Sequence, residues 1–261
     1  MQQALCASGI EPREARLLLA AATGFSEASL IGFPEKSLPE EAERRFAGFT
    51  ARRKTGEPVA YILGRKEFYG LELAVNPAVL IPRPETELLV DLALRFGFSK
   101  AVDLGTGSGA IALALKKQRP LARVVAVEAS AAALVVAKRN ATKHSLDVEF
   151  RHGQWLEGIE ESFDLIVSNP PYVTAGDPHL AELSFEPIGA LVSGADGLDA
   201  IRVLASSAPA HLAAGGWLLL EHGMGQDRAV RELLIAAGLE EVASWPDLAG
   251  IPRVSGGRRK I

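Results

Sequence analysis

Cysteine is nearly absent: Cys6 is the only one in 261 residues. No disulfide can form within the chain, and a reducing, cytoplasmic setting is expected. Positive charge shows no excess. Lys and Arg number 28 against 32 Asp and Glu, for a net charge of −4. That argues against a protein whose main task is to grip nucleic acid, so no direct nucleic-acid binding is expected. No apolar run reaches the ~20 residues a membrane helix needs, so no membrane partner is expected. The start, Met1-Gln2-Gln3-Ala4, has neither a basic n-region nor a long apolar stretch, and no secretory signal is expected. The five histidines (His144, His152, His179, His211, His222) show no zinc-type spacing with cysteine or acids, so no metal is expected. Neither an internal repeat nor a low-complexity tract interrupts the chain.

What is present divides the chain into stretches of different character. Residues 1–66 read as short helices. Glu11-Pro12 fits a helix start, Leu17, Leu18 and Leu19 supply an apolar stripe, and Gly24 is a stop. A second helix opens with the acids of Pro39-Glu40-Glu41-Ala42-Glu43 and closes on Arg52-Arg53-Lys54, each charge suited to its end of the helix dipole. That basic cluster reads first as a solvated helix end favoured by the dipole, ahead of a binding patch. The helices carry no chemical motif and read as a docking module. Residues 67–84 read as a hairpin linker, with Phe68, Leu71, Leu73 and Val75 set among Gly70, Asn76 and Pro77. Arg83 and Glu85 stand where they could lid a pocket or simply sit on a solvated helix start. Residues 85–261 alternate strands and helices, the pattern of an open, mostly parallel α/β sheet. Strands are expected at 101–104, 124–127, 148–150, 163–167 and 217–220, the last following a turn at Gly215-Gly216, with further strands at the end of the chain.

Two features of this third stretch carry chemistry. Gly105-Thr106-Gly107-Ser108-Gly109 follows the first strand as a tight turn. Glycine there lets a ligand approach the backbone where a Cβ would block it. Glu128 ends the next strand, 23 residues past Gly105, where an acid can accept both ribose hydroxyls of an adenosine-type cofactor. Gly105-x-Gly107-x-x-Ala110 also satisfies the dinucleotide fingerprint. Asp103 favours S-adenosylmethionine instead, because a carboxylate there can attract a methionine ammonium. Trp155 could cover an adenine face or could be core. The second feature is Ser168-Asn169-Pro170-Pro171-Tyr172 at the end of the 163–167 strand. Each proline fixes its φ and lacks an N–H, and Asn169 is pushed towards an extended backbone. The Asn carboxamide offers an acceptor and donors from a stiff corner. A flat NH2-bearing group could donate to the Asn169 oxygen and the Pro170 carbonyl, with Tyr172 stacked on one face. This corner, too, favours S-adenosylmethionine over a hydride carrier.

The chain resembles the bacterial release-factor glutamine methyltransferases. The likeness runs through Gly56 to Gly64, Glu67-Phe68-Tyr69-Gly70 and Leu80-Ile81-Pro82-Arg83-Pro84-Glu85-Thr86-Glu87. It continues in Asp103 to Ala112, Ser168 to Tyr172, Phe185-Glu186-Pro187 and Gly194 to Asp199. Asn-Pro-Pro-Tyr alone is shared with adenine-N6 and guanine-N2 methyltransferases; the segment from Leu80 to Glu87 is far more specific. Three regions of the chain depart from the family pattern. Position 128 is Glu where Asp is more usual, the match around Gln154-Trp155 is loose, and Gly250 to Arg253 is altered. The resemblance implies a helical N-terminal domain that docks the release factor, a β-hairpin linker and a Rossmann-like seven-stranded class I methyltransferase sheet. It implies methyl transfer from S-adenosylmethionine, leaving S-adenosylhomocysteine, to the side-chain nitrogen of the glutamine in the Gly-Gly-Gln loop of class-1 release factors. Carried over by position, Asp103, Gly105, Thr106, Gly107, Ser108, Gly109, Glu128, Trp155 and Asn169 would contact the cofactor. Asn169, Pro170, Pro171 and Tyr172 would hold the substrate. A monomer is expected. The alternative is an amino methyltransferase acting on a flipped-out nucleic-acid base, though no separate target-recognition domain is visible; a non-catalytic module on the same fold fits the intact corner poorly.

Overall fold

Capping chemistry sets the early helices. In the computed structural model, which describes residues 1–261, these are α1 (Gln2–Ala7), α2 (Pro12–Thr23), α3 (Glu27–Gly32), α4 (Glu40–Lys54) and α5 (Val59–Leu63). Pro12 occupies the first turn of α2, the Glu11 side chain accepts from the Glu14 N–H at 2.9 Å, and Gly24 ends the helix at φ +74°. These helices belong to one unit, Met1–Arg65, and close on a core that includes Leu18, Leu19, Leu30, Phe46 and Ile62. Two of the three bases at the end of α4 are engaged within that unit. Arg53 pairs with Glu14 at 2.8 Å, and Arg52 donates to both oxygens of Glu57.

The second unit, Lys66–Ile261, holds the hairpin and the large sheet. The hairpin joins β1 (Arg65–Phe68) to β2 (Leu71–Ala74) through Tyr69 and Gly70, both at positive φ (50° and 70°), as a two-residue turn matched to strand twist requires. Tyr69 is held there at both ends. Its N–H donates to Glu87 at 2.8 Å and its hydroxyl to Asp91 at 2.7 Å. A single 3₁₀ turn, Pro84–Thr86, leads into α6 (Glu87–Phe96).

Then follow β3 (Lys100–Leu104), α7 (Ala110–Gln118), β4 (Arg123–Glu128), α8 (Ala131–His144), β5 (Glu149–His152), β6 (Phe163–Ser168), α9 (Asp199–His211), β7 (Leu212–Glu221), α10 (Asp227–Ala236), β8 (Glu240–Pro246) and β9 (Pro252–Arg258). The sheet has seven strands in the order β5-β4-β3-β6-β7-β9-β8. All neighbours are parallel except β9, which runs against β7 and β8. The central strands are buried on both faces, which accounts for their unbroken apolar runs. Ala101 and Leu165 face a core with Leu89, Leu92 and Leu113. Val102 and Ile166 face a second core with Ile201, Leu204 and Leu234.

Two strands depart from expectation. Gly215-Gly216 does not precede the strand as a turn; β7 begins at Leu212 and carries both glycines within it. Here the pairing with β6 slips, from Phe163↔Leu212 to Leu165↔Trp217. Gly215 takes φ +76°, and a Cβ on Gly216 would lie 3.0 Å from the carbonyl oxygens of Phe163, Asp164 and Ala213. The glycines form a bulge whose positive φ and close carbonyls favour residues without side chains. The strand expected at 148–150 likewise lies slightly later, at Glu149–His152.

Asn140 of α8 links the hairpin to the sheet. Fully buried, it accepts from the Ala74 N–H at 2.7 Å and donates to the Ala74 carbonyl at 3.0 Å and the Ser108 carbonyl at 2.9 Å. Asn140→Ala strands those three backbone groups. It is expected to lower the unfolding free energy by about 2–3 kcal/mol, read as a lower urea midpoint at unchanged m-value.

Candidate active site

The order of the strands reverses between β3 and β6, and ligands in such sheets bind outside the carboxyl ends at that point. A cavity of about 450 Å³ lies there. Its wall takes Gly105 and Gly107 from the end of β3, and Glu128, Ala129 and Ser130 from the end of β4. Gly153, Gln154 and Trp155 come from the end of β5, and Asn169 and Pro171 from the end of β6. Residues 78–80 and Pro187, Gly189 and Ala190 complete it.

The glycine turn is built by its neighbours. The Gly105 and Thr106 N–H groups both donate to the Val127 carbonyl, at 2.9 and 3.0 Å. Glu128 accepts from the Gly107 N–H at 2.8 Å through one carboxylate oxygen and from the Ser130 N–H at 2.9 Å through the other. The acid on the cavity wall therefore also shapes the turn beside it. Gly107 has φ +57°, and a Cβ there would meet nothing within 4 Å, so the space above the turn is open. Gly109, at φ +85°, serves packing: a Cβ would press on Leu113 and Ala137 at 3.2–3.3 Å. Trp155 takes a left-handed backbone at φ +53°, uncommon for a bulky residue. Its ring reaches the turn, and a Cβ on Gly105 would lie 3.2 Å from it. The ring thus forms one side of the cavity and fits the role of an apolar cover.

Of the residues singled out in the sequence, Gly105, Gly107, Glu128, Trp155, Asn169 and Pro171 meet on this wall; Asp103, Thr106, Ser108, Gly109, Pro170 and Tyr172 are not on it. Asp103 is fully buried. One oxygen accepts from the Thr106 hydroxyl at 2.6 Å and from the Ala112 N–H at 3.1 Å, while Oδ1 is buried with no partner. Burial, the largest cause, raises its carboxyl to about 7. An unpartnered buried carboxylate oxygen below a glycine turn fits a cationic group on the ligand, reached directly or through water. Tyr172 packs against the core and donates its hydroxyl to Glu221 at 3.3 Å; burial, chiefly, raises its pKa. It lies beside the cavity wall rather than on it.

Three side chains, Thr86, Glu221 and Glu186, were given no role in the sequence reading. The Asn169 Nδ2 donates to the Thr86 hydroxyl at 3.1 Å, which turns the Asn oxygen the other way. Glu221, at the end of β7, is buried against Thr86 and Tyr172, and burial raises its carboxyl to about 7. Glu186 accepts from the Ile81 N–H at 3.0 Å and pairs with Arg83, joining two stretches of the cavity wall. Arg83 is thereby tied down rather than free as a lid, and Glu85 is exposed. The signal for Glu221 was present: an acid closing an apolar strand, the same pattern that singled out Glu128.

The fold and the site define a methyltransferase-type α/β domain. A solved methyltransferase from Pyrococcus furiosus superposes with a TM-score of 0.58 at 21% identity, over 82% of this chain and all of that one, and bears on the fold alone. The family model described as Methyltransferase small domain matches residues 84–184, and that described as PrmC N-terminal domain matches residues 1–64. The release factor glutamine methyltransferase of Xylella fastidiosa is 50% identical over 257 residues, covering 95% of this chain and 94% of that protein. Its counterpart from Burkholderia pseudomallei is 49% identical over 269 residues, covering 97% and 94%. The chain belongs to the release factor glutamine methyltransferase family.

Asp103 gives this site a pH signature. Its folded pKa of about 7 lies above the ordinary 3.8 of the unfolded chain. Between those values the folded state keeps a proton the unfolded state has lost, so stability falls as pH rises through the window and levels off above it. Asp103→Asn should remove that slope. Urea unfolding of the ligand-free protein at about pH 5 and about pH 8 is expected to show the wild type losing stability relative to the variant. The contribution of Glu221 is common to both proteins and cancels.

Proposed function

We propose that the protein transfers a methyl group from S-adenosylmethionine to the side-chain amide nitrogen of the glutamine in the Gly-Gly-Gln motif of class-1 release factors. The observation that carries this is the meeting of Asn169 and the glycine turn at Gly105 and Gly107 on one cavity, in a chain of this family. Glu128 would take the ribose hydroxyls, the buried Asp103 carboxylate would favour the ammonium, and Trp155 would cover an apolar face. When bound, S-adenosylmethionine supplies an electrophilic methyl group on a positively charged sulfur.

The chain's own residues must deal with a weak nucleophile, because an amide nitrogen shares its lone pair with its carbonyl. Asn169 anchors its own NH2 on Thr86, so its oxygen is available to accept from the substrate NH2. An acceptor fixed there favours positive charge building on the nitrogen and holds the lone pair in line. The prolines at 170 and 171 stiffen the corner, so alignment is in place before the substrate arrives. No side chain on the cavity wall is set as a general base; the proton lost from the nitrogen passes to water.

Three measurements test this. With labelled S-adenosylmethionine and a release factor, DNA or ribosomal RNA offered separately, label is expected on the release factor; label on a nucleic acid alone overturns the assignment. Asn169→Ala is expected to lower kcat by about 10²–10³-fold, with calorimetry showing nearly unchanged cofactor affinity. Glu128→Ala is expected to do the reverse and raise the cofactor Kd at least ~10-fold, since it removes a charge-assisted acceptor and the support of the Gly107 N–H together.

A further inference from the structure

Two prolines make the corner from Asn169 to Tyr172 stiff, but stiffness does not decide where a corner points. A stiff segment swings as one body unless both of its ends are held. Pro170 and Pro171 have no N–H to tie it from within. On the upstream side the Ser168 hydroxyl donates to the Leu104 carbonyl at 2.6 Å and fixes the end of β6 to β3. On the downstream side the Tyr172 carbonyl accepts from Gln226 Nε2 at 3.1 Å, across 54 residues of sequence.

Gln226 is half-buried just ahead of α10, and both ends of its amide are engaged. Its Oε1 accepts from the Gly223 N–H at 2.8 Å, while Nε2 donates to the carbonyls of Tyr172 and, at 3.2 Å, Asp196. Turned over, the amide would set its oxygen against two carbonyls and its NH2 against an N–H, so its orientation is determined. One side chain thereby joins the corner after β6, the loop ahead of α9 and the loop between β7 and α10. Glycines make room for it. A Cβ on Gly197 would strike the Tyr172 carbonyl oxygen and lie 2.7 Å from Gln226 Nε2. A Cβ on Gly223 would lie 3.0 Å from Gln226 Oε1 and 3.3 Å from the Tyr172 ring.

We infer that Gln226 places Asn169 for methyl transfer: it holds the Tyr172 carbonyl, and the two fixed proline φ angles carry that hold back along the corner. Gln226 is a positioning residue, since it does not line the cavity. Its role rests on the one proposed for Asn169 above and adds the second anchor that the corner needs. A carbonyl released at Tyr172 can move towards water, and the Pro170 carbonyl and the Asn169 amide move with it because the segment between cannot bend at φ. The cofactor side of the cavity, built by the glycine turn and Glu128, does not depend on this anchor.

The test is a kinetic series with saturating labelled S-adenosylmethionine and a release factor. Gln226→Met keeps the length of the side chain and loses all three hydrogen bonds. Gln226→Glu, assayed at about pH 8 where a glutamate is ionised, keeps an acceptor for the Gly223 N–H and loses both donors. It closes its own loop but releases the corner. Each variant is expected to lower kcat about 10–100-fold, the scale of a displacement near 1 Å, with cofactor Kd close to wild type. In an Asn169→Ala background neither should lower kcat further, because the group they misplace is gone; a general loss of structure would lower it again. If Gln226→Met does not fold, Gln226→Glu decides. Wild-type kcat in Gln226→Glu, or a loss of cofactor affinity equal to its loss of kcat, alongside an inactive Asn169→Ala, would overturn this inference and leave the role of Asn169 standing. Full turnover by Asn169→Ala, or no label on the release factor from the wild type, would remove both.

Discussion

Strands β3 and β6 lie side by side and parallel, paired Ala101 to Leu165, Val102 to Ile166 and Asp103 to Val167. The rest of the site depends on that pairing. Both strands end at the same edge of the sheet, so the turn that leaves β3 and the corner that leaves β6 open onto one space. The Ser168 hydroxyl, donating to the Leu104 carbonyl at 2.6 Å, ties the two ends just below that space. A slip of one residue would turn every side chain of one strand to the opposite face and separate the glycine turn from Asn169. The register is held because both faces are buried, each against its own set of helices. Packing far from the chemistry thus fixes the distance across it.

The acids at the strand ends follow a common logic. Asp103, Glu128 and Glu221 each stand at or near the end of a parallel strand, where the chain leaves the sheet and backbone N–H groups are unpaired. Glu128 meets two of them, at Gly107 and Ser130, and lies on the open wall. Asp103 and Glu221 are buried, with a raised pKa in each case. A buried carboxyl that keeps an unpartnered oxygen is costly in the resting protein. Such groups persist where a ligand or a second polar side chain makes use of them: Asp103 stands two residues before Gly105 of the cavity wall, and Glu221 accepts from Tyr172, the residue after Pro171.

Much of this was legible in the sequence because it rests on local rules. Pro12, Gly24 and Gly70 act through the backbone of their immediate neighbours, and each stands where its chemistry indicated. The alternation of apolar strands and helices was enough to call a parallel sheet. The count of seven strands, by contrast, came from the family resemblance, and their order from the structure alone, since nothing local specifies which strand lies beside which. What escaped reading is long-range. The bulge at Gly215-Gly216 exists because β7 must pass close to the carbonyls of β6, a contact invisible from the glycines alone. Tyr172 reads as a stacking wall beside two prolines, yet its hydroxyl is drawn to Glu221, 49 residues on. The Asn169 amide, likewise, meets Thr86, 83 residues earlier in the chain.

The stiffness of the Asn-Pro-Pro corner and the weakness of the nucleophile belong to one argument. An amide N–H is too weakly acidic for a side-chain base to ionise before the attack, so the nitrogen must react while its lone pair is still shared with the carbonyl. What an enzyme can offer is alignment and a fixed acceptor, and both lose value if the acceptor can rotate. Two prolines remove backbone freedom on one side of Asn169, and Thr86 holds its side chain. Glu186, by joining Ile81 and Arg83 to the stretch that carries Pro187, steadies the opposite wall. The cavity is therefore rigid where the reacting nitrogen must be placed and open above Gly107, where a cofactor must enter.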